Sequence, residues 1–169
     1  LQLARERLEP LGVTVLNIEV DNNRTMPFVD GEFDLILNRH SAFNSGEIAR
    51  VLTAGGHFLT QQVHGLYAHD LLAAFGVTPL WPDAKPAFYV PLLQSAGLEI
   101  VTAEDWTGKL IFTDVGALVY YLKAVPWMVP GFSVKSHLAQ LLTLQQQVET
   151  EGELLFTAKK YLIEARKPA

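Results

Sequence analysis

Short apolar runs alternate with helical stretches along most of this chain, and this alternation limits its fold more than any other feature. The clearest run is FDLILN (33–38), which is nearly continuous in apolar residues, as the strands of a parallel sheet covered on both faces are. Alternating strands and helices define the α/β class, so the pattern predicts a mostly parallel sheet with helices on both faces. The other predicted strands are 13–19, 57–63, 98–106 and 154–167.

Helical spacing of apolar residues recurs between these runs. The predicted helix that follows FDLILN is capped by Asn44 or Ser45 and ends at Gly55-Gly56. Lys159 and Lys160 interrupt the last strand, which suits an exposed or edge position. The other predicted helices lie at 1–9, 67–76, 87–97, 113–127 and 133–152.

Size and composition restrict the class of protein. A chain of 169 residues corresponds to about one domain, so we predict a single domain over 1–169. Hydrophobic residues make up 49% and charged residues 18%, which excludes a disordered tail. The absence of cysteine excludes disulfides and thiolate metal sites. No apolar run is long enough to predict a membrane span, and the features fit a cytoplasmic protein.

Polar clusters follow three of the predicted strands. They are Asp21-Asn22, Asn38-Arg39-His40, and Gln62-Val63-His64. In an open α/β sheet, ligands bind beyond the carboxyl ends of the strands. One such cluster alone is usually a solvated loop, but three together predict a cleft for a polar ligand.

The segment between residues 20 and 63 carries a combination of motifs. Met26-Pro27-Phe28 precedes the Phe33-Asp34 strand, and Arg50-Val51-Leu52 leads to Gly55-Gly56 before the next strand. This arrangement resembles the class I (Rossmann-like) S-adenosylmethionine-dependent methyltransferases of the small-molecule, type 11-like group. The resemblance is good over residues 1–63 and compatible to the end, where a strand finishing in EARKP looks like the family's antiparallel C-terminal strand.

The chain departs from this family in one respect. The family's first strand is followed by a Gly-rich loop that approaches the cofactor, and its second strand ends in an acidic residue that binds the ribose. Neither is found in this sequence, which opens with a helical pattern at Leu1. The resemblance therefore implies an incomplete sheet, truncated at the N-terminus, with both elements upstream. We expect such a chain to be inactive and marginally stable alone, and to self-associate to cover the missing strands.

The resemblance also implies roles for individual residues. S-adenosylmethionine is the implied cofactor, and His40 is the candidate base because an imidazole titrates near neutral pH. A histidine at a helix entry more often bonds a backbone carbonyl, and Arg39 could instead hold an anionic substrate or pair with an acid. The implied cofactor-binding residues are Asp21 and Asn22 at the adenine, Met26 and Phe28 as apolar walls, and Asn38 and Arg39 at the methionine end.

Two segments, 64–86 and 112–132, are predicted to cap the substrate. They carry aromatic side chains suited to a flat or apolar acceptor, although plain core packing is the alternative. Adjacent tyrosines on a helix cannot both face inward, so one is expected to be exposed. The predicted substrate residues are Trp81, Tyr120, Tyr121 and Trp127.

The acceptor and the metal content follow from weaker signals. A formal net charge of −5 favours a small-molecule acceptor over RNA. His64, His69 and Asp70 do not stack on one helix face and lack an evident third ligand, so no metal site is predicted.

A non-catalytic interaction or structural fragment is the alternative function. A nicotinamide-dependent reductase ranks last, because it needs the same absent loop.

Overall fold

In the part of the chain that the structure describes, four strands and six α-helices form a three-layer α/β structure. The computed structural model describes residues 1–20 and 25–169. Its strands are β1 (Phe33–Arg39), β2 (Leu52–Val63), β3 (Glu99–Phe112) and β4 (Leu154–Arg166). Its helices are α1 (Gln2–Leu8), α2 (Ser45–Val51), α3 (His69–Ala74), α4 (Pro86–Ser95), α5 (Val115–Ala124) and α6 (Leu138–Glu151), with a short 3-10 turn at Glu9–Leu11 after α1.

The strands pair in the order β1-β2-β4-β3. β1 and β2 are parallel, and β4 is antiparallel to both β2 and β3. Three strands therefore run in one direction and only the C-terminal strand runs against them. This confirms the predicted sheet, with its mostly parallel strands and its antiparallel last strand.

Each face of the sheet has its own hydrophobic core. Residues on β4 alternate between the faces: Leu154 and Phe156 lie in one core, whereas Tyr161 and Ile163 lie in the other. The first core is closed by leucines of α3, α5 and α6, and the second by Ile48 of α2 and Leu93 of α4. Helices thus pack on both faces, as predicted, because each face presents an apolar stripe that must leave water. FDLILN is not covered on both faces, however, since Leu35 and Leu37 are exposed.

Two sequence predictions about strands are wrong. Residues 13–19 form no strand, and Val13 and Leu16 are exposed. A β-branched run gains its hydrogen bonds only from a neighbouring strand, and none of the described residues pairs with it. The last strand is not an edge strand either, because β4 pairs on both sides, so Lys159 and Lys160 lie in the middle of the sheet.

The predicted end of the helix at Gly55-Gly56 is also wrong. α2 ends at Val51, and Leu52 is already extended. The glycines lie within β2, where the register with β1 shifts between Phe33 and Leu35. Gly55 has φ +76°, and a Cβ on Gly56 would lie 3.1 Å from the carbonyl oxygen of Phe33. The two glycines therefore permit an irregular, close approach of β2 to β1.

Arg50 holds the segment that precedes β1 against α2. Its guanidinium donates to the carboxylates of Glu47 and Asp30 and to the carbonyl oxygens of Met26 and Phe28. Glu47 also accepts a hydrogen bond from the Met26 amide, at 2.6 Å. Bidentate pairing of this kind fixes position more firmly than a single contact. The hydrogen bonds between the two side chains keep the pKa of Arg50 above its ordinary value and the pKa of Glu47 below its ordinary value.

Asp70 joins α3 to the middle of the sheet. Its carboxylate accepts hydrogen bonds from the amide and hydroxyl of Thr157 on β4, each at 2.8 Å, and from the amide of Leu71. Burial alone would raise the pKa of Asp70, but these hydrogen bonds outweigh burial and hold the pKa below its usual value. α3 is thus positioned by a charged anchor as well as by its apolar face.

We expect Asp70→Ala to lower the free energy of unfolding by about 2 kcal/mol at pH 7, since bonds to a charged acceptor are worth about 1.5–3 kcal/mol. Because the folded pKa is depressed, this stabilisation is present above the unfolded pKa and is lost as pH falls through the folded pKa. Urea unfolding at pH 7 and at lower pH measures the difference. Asp83→Ala is the control, since Asp83 is exposed and forms a surface ion pair with Lys85. Equal losses in the two variants would contradict the role of Asp70 as an anchor.

No helix in the described part of the chain combines the length and apolar character that crossing a membrane requires.

Candidate functional site

A buried polar network braces the carboxyl ends of β1 and β2. The Oδ1 atom of Asn38 accepts hydrogen bonds from the hydroxyl of Thr60, at 2.8 Å, and from the side-chain amide of Gln62. Gln62 also donates to the carbonyl oxygen of Ser41, at 2.8 Å. Thr60 is fully buried, so these bonds offset the cost of placing polar groups in the sheet. The network fixes the turn that follows β1.

His40 occupies that turn in a strained conformation. Its φ is +51°, in the left-handed region that residues other than glycine rarely adopt. Its amide donates to the carbonyl oxygen of Gln61 on β2, which holds it there. Partial burial lowers the pKa of His40, and the charges of Arg39 and Lys160 lower it further against an opposing hydrogen bond with Gln61. The imidazole is therefore neutral at pH 7 and able to accept a proton.

A cavity of about 580 Å³ lies beside His40, at the carboxyl ends of β1 and β2. This volume falls within the range of small-molecule sites, which is about 300–1,000 Å³. Its polar lining comes from His40, Gln62, Thr78 and Lys160, and the rest of its wall is mainly apolar and aromatic. The aromatic side chains in the wall are Tyr67, Trp81, Tyr121 and Trp127.

Residues from both predicted cap segments form this wall. The 64–86 segment supplies Tyr67 and Trp81, and the 112–132 segment supplies Tyr121 and Trp127. The Tyr121 hydroxyl donates to the sulfur of Met128 at 3.3 Å, and burial raises the pKa of Tyr121 well above its usual value. That these segments cap a substrate stays a prediction.

Gly65 permits the close packing of the Trp81 loop. A Cβ at this position would lie 2.2 Å from the carbonyl oxygen of Trp81 and 2.7 Å from that of Pro82. The Gly65 amide donates to the carbonyl oxygen of Ala84, at 2.7 Å. Only a residue without a side chain lets these two backbone segments approach in this way. The wall of the cavity therefore depends on a glycine.

A second cavity of about 1,140 Å³ adjoins the first. His40, Gln62 and Trp81 line both cavities. The second extends towards the turn before α2 and along α4, where Phe88 and Tyr89 contribute to its wall. His40 thus stands between two connected spaces.

The other predicted site residues that the structure describes line neither cavity. Met26 packs against the second core, and the Phe28 ring contacts Phe33, with centroids 4.8 Å apart. Phe33 and Asn38 are five residues apart on β1, about 17 Å at the rise of a strand. The structure therefore does not bring Phe28 together with Asn38 and Arg39 at the carboxyl end.

Asn38 and Arg39 are themselves engaged with β2. The Asn38 side chain is bonded to Thr60 and Gln62, and the Arg39 Nε donates to the side-chain oxygen of Gln61, at 3.2 Å. Tyr120 is 77% exposed and lines neither cavity, so it is the outward-facing member of the tyrosine pair. Asp21 and Asn22 lie outside the described residues, and cofactor contact by all of these residues stays a prediction.

The histidines considered for a metal have other partners. The buried His64 accepts a hydrogen bond at Nδ1 from the Leu66 amide, and burial, reinforced by Lys159, lowers its pKa against the opposing charge of Asp105. The Nδ1 of His69 contacts the carbonyl oxygen of Leu66 at 3.0 Å. Within residues 1–20 and 25–169, no group of three or more histidine, cysteine, aspartate or glutamate side chains could hold a metal ion.

Sequence reasoning missed Lys160, Tyr67 and Gly65 as parts of the site. The sequence does carry one signal for Lys160: apolar residues at even positions before Lys159-Lys160 (Leu154, Phe156, Ala158) give way to apolar residues at odd positions after it (Tyr161, Ile163, Ala165). Such a break in alternation marks a strand whose two halves face different surroundings. For Tyr67 and Gly65 we find no comparable signal in the sequence.

No protein-family model matches the sequence, and no curated protein matches it significantly. Solved structures match its fold. A candidate methyltransferase of Bacillus halodurans is 17% identical with a TM-score of 0.60, covering 99% of this chain and 78% of that one. The YcgJ protein of Bacillus subtilis is 18% identical with a TM-score of 0.54, with the same coverage of 99% and 78%.

The 4+2 cyclase SpnF is 19% identical with a TM-score of 0.52, covering 99% of this chain and 62% of that one. This chain therefore spans less than two thirds of SpnF and about four fifths of the other two proteins. The matches extend over almost the whole chain. The chain therefore has the Rossmann-like α/β fold of these solved structures, one of which is a candidate methyltransferase.

Proposed function

We propose that this protein takes part in S-adenosylmethionine-dependent methyl transfer to a small, flat, largely apolar acceptor. The observation that carries the proposal is the aromatic cavity beside His40, at the carboxyl ends of β1 and β2, in a chain with a methyltransferase fold. Ligands of open α/β sheets bind at this edge. A fold alone does not determine a reaction, and a cyclase shares this one, so the proposal rests on the cavity.

The residues of this chain would contribute mainly by positioning. When bound, the cofactor supplies a methyl group on a positively charged sulfur. The aromatic walls from the two cap segments would orient the acceptor, and alignment of reacting groups can supply about 7–11 kcal/mol. The neutral imidazole of His40 would accept the proton that an acceptor hydroxyl or amine loses.

We propose that the methionine end of the cofactor lies near Asn38 and Arg39, as the resemblance implies. The Gly-rich loop that approaches the cofactor would be supplied by protein residues upstream of Leu1. Support comes from β1, whose outer edge pairs with no strand among the described residues. Its exposed Leu35 and Leu37 further suggest that this edge is normally covered. On this proposal the 169-residue chain alone does not bind the cofactor.

Calorimetric titration of S-adenosylhomocysteine tests this proposal. It is run on the 169-residue chain and on a version that begins further upstream in the reading frame. We expect binding by the extended version only. Binding by neither version would contradict methyl transfer, and equal binding by both would contradict the role given to upstream residues.

A second candidate function, a non-catalytic interaction domain, is favoured by the same edge of the sheet. Leu35 is 55% and Leu37 is 69% exposed on one face of β1. An unpaired, apolar edge strand is a template for pairing with another chain. On this alternative the occupant is a second copy of the chain, and the edge binds it in place of a cofactor-binding half.

Sedimentation velocity of the 169-residue chain measures self-association. We expect a dimer that Leu37→Lys converts to monomer, because a charge on the apolar face of the edge opposes pairing. Leu142→Lys on α6 is the control, since Leu142 is 56% exposed on a helix that packs against α5 and β4. A monomer at high concentration would contradict self-association.

A further inference from the structure

The first cavity carries a charge opposite to that of the whole protein. The chain has a formal net charge of −5, from 18 acidic and 13 basic residues. Yet no aspartate or glutamate lines this cavity among the described residues, and Lys160 contributes a cation to its wall. An anion entering the cavity would therefore meet an attractive charge and no lining carboxylate.

The fold of β4 directs Lys160 into this position. Lys160 pairs with Val63 of β2 and with Trp106 of β3, so its backbone is held from both sides. Alternation places its side chain on the sheet face of Leu154 and Phe156, the face on which the cavity lies. Lys159 points to the opposite face, where its Nζ lies 3.7 Å from a carboxylate oxygen of Asp105.

Lys160 lacks a counter-ion in the described part of the chain. No carboxylate there forms an ion pair with its Nζ within 4.0 Å, in contrast to Lys159 and Lys85. A cation in a largely apolar wall loses hydration, and a bound anion restores part of that loss. The cavity is thus complementary to a ligand that brings its own negative charge.

The rest of the wall limits what else the ligand contains. Trp81, Trp127, Tyr67 and Tyr121 offer aromatic faces, which favour a planar ring system. A single lysine fits one negative charge, whereas a phosphate generally calls on arginine forks or several donors. These features restrict the chemical class of the ligand to monoanions with a flat, apolar ring system.

We propose that the acceptor is a planar, largely apolar carboxylic acid, and that Lys160 binds its carboxylate while its ring lies between the aromatic walls. That the bound acid is the methyl acceptor rests on the proposed function, whereas binding of the acid at Lys160 does not require the cofactor. Lys160 is a specificity-determining residue, and His40 lines the same cavity.

The test compares two probes of nearly equal shape, 2-naphthoate and the uncharged 2-naphthamide, titrated while tryptophan fluorescence is recorded. We expect the protein to bind the carboxylate about tenfold more tightly than the amide, as for one favourable charge pair. Lys160→Met should abolish that preference and leave amide binding unchanged. Lys159→Met is the matched control and should keep the preference, and Lys160→Arg should retain most of it.

Equal binding of the two probes, binding of neither, or a preference that survives Lys160→Met would overturn the inference. Unchanged amide binding shows that Lys160→Met is folded, and the arginine variant provides a second test if the methionine variant is not. Neither 2-naphthoate binding nor 2-naphthamide binding involves the cofactor. A failure to bind S-adenosylhomocysteine would therefore count against the proposed function and not against the carboxylate site. A failure to prefer the carboxylate would count against this site and not against methyl transfer.

Discussion

Replacing Gly65 with alanine is expected to destabilise the protein and to deform the cavity at the same time. The added Cβ would lie 2.2 Å from the carbonyl oxygen of Trp81, a backbone atom that cannot rotate away. The loop that carries Trp81 must then move, and overpacking of this kind typically costs about 1–3 kcal/mol. Urea unfolding measures the loss of stability, and titration with 2-naphthoate measures the damage to the cavity.

Gly46→Ala is the matched control for Gly65→Ala. A Cβ on Gly46 would approach only the side-chain oxygen of Asn44, at 3.4 Å. In the first turn of α2, alanine is also a better helix former than glycine. We therefore expect Gly46→Ala to leave stability unchanged or slightly raised, and similar losses in both variants would contradict the close approach at Gly65.

The second large effect concerns activity. We expect His40→Gln to lower the rate of methyl transfer to a protonated acceptor by about 10²- to 10⁴-fold, the usual contribution of a general base. Glutamine retains a polar side chain of similar length but cannot take up the proton. Steady-state release of S-adenosylhomocysteine measures the rate, and a loss confined to kcat separates a base from a binding residue.

The pH profile gives this prediction a second readout. Because partial burial and neighbouring cations lower the pKa of His40, the wild-type rate should fall only below pH 6.5 and stay level above it until another group titrates. His40→Gln should lack that acid limb. His69→Gln is the control, because His69 contacts the Leu66 carbonyl and lines neither cavity. An unchanged rate in His40→Gln would contradict the role of His40 as the base.

The sequence predicts elements of this fold well where a segment's own residues decide the outcome. The runs at 57–63 and 154–167 are strands whose apolar residues fill the two cores, and FDLILN contributes Ile36 to the second core. The run at 13–19 has the same composition and forms no strand, because a strand also needs a partner. Composition is a local property and strand pairing is not, so the wrong prediction at 13–19 could not be avoided from one sequence.

The same distinction holds for the site. Trp81, Tyr121 and Trp127 were predicted from bulky aromatics in segments outside the sheet, and all three line the first cavity. The sequence favours an exposed or edge position for Lys160, whereas the structure places it on a strand that lies between two others, because strand order is not encoded within one strand. Its role follows only from the strand order, which brings Val63 and His40 to the same edge.

The measurement that tests the central claim most directly is acceptor-dependent formation of S-adenosylhomocysteine from S-adenosylmethionine. It uses the version extended upstream, with hydroxylated naphthoates and the corresponding naphthamides as acceptors. We predict turnover with the carboxylates that falls sharply in His40→Gln and in Lys160→Met. Bound cofactor without turnover of any of these acceptors, or equal turnover in the variants, would contradict the claim that this cavity holds the methyl acceptor.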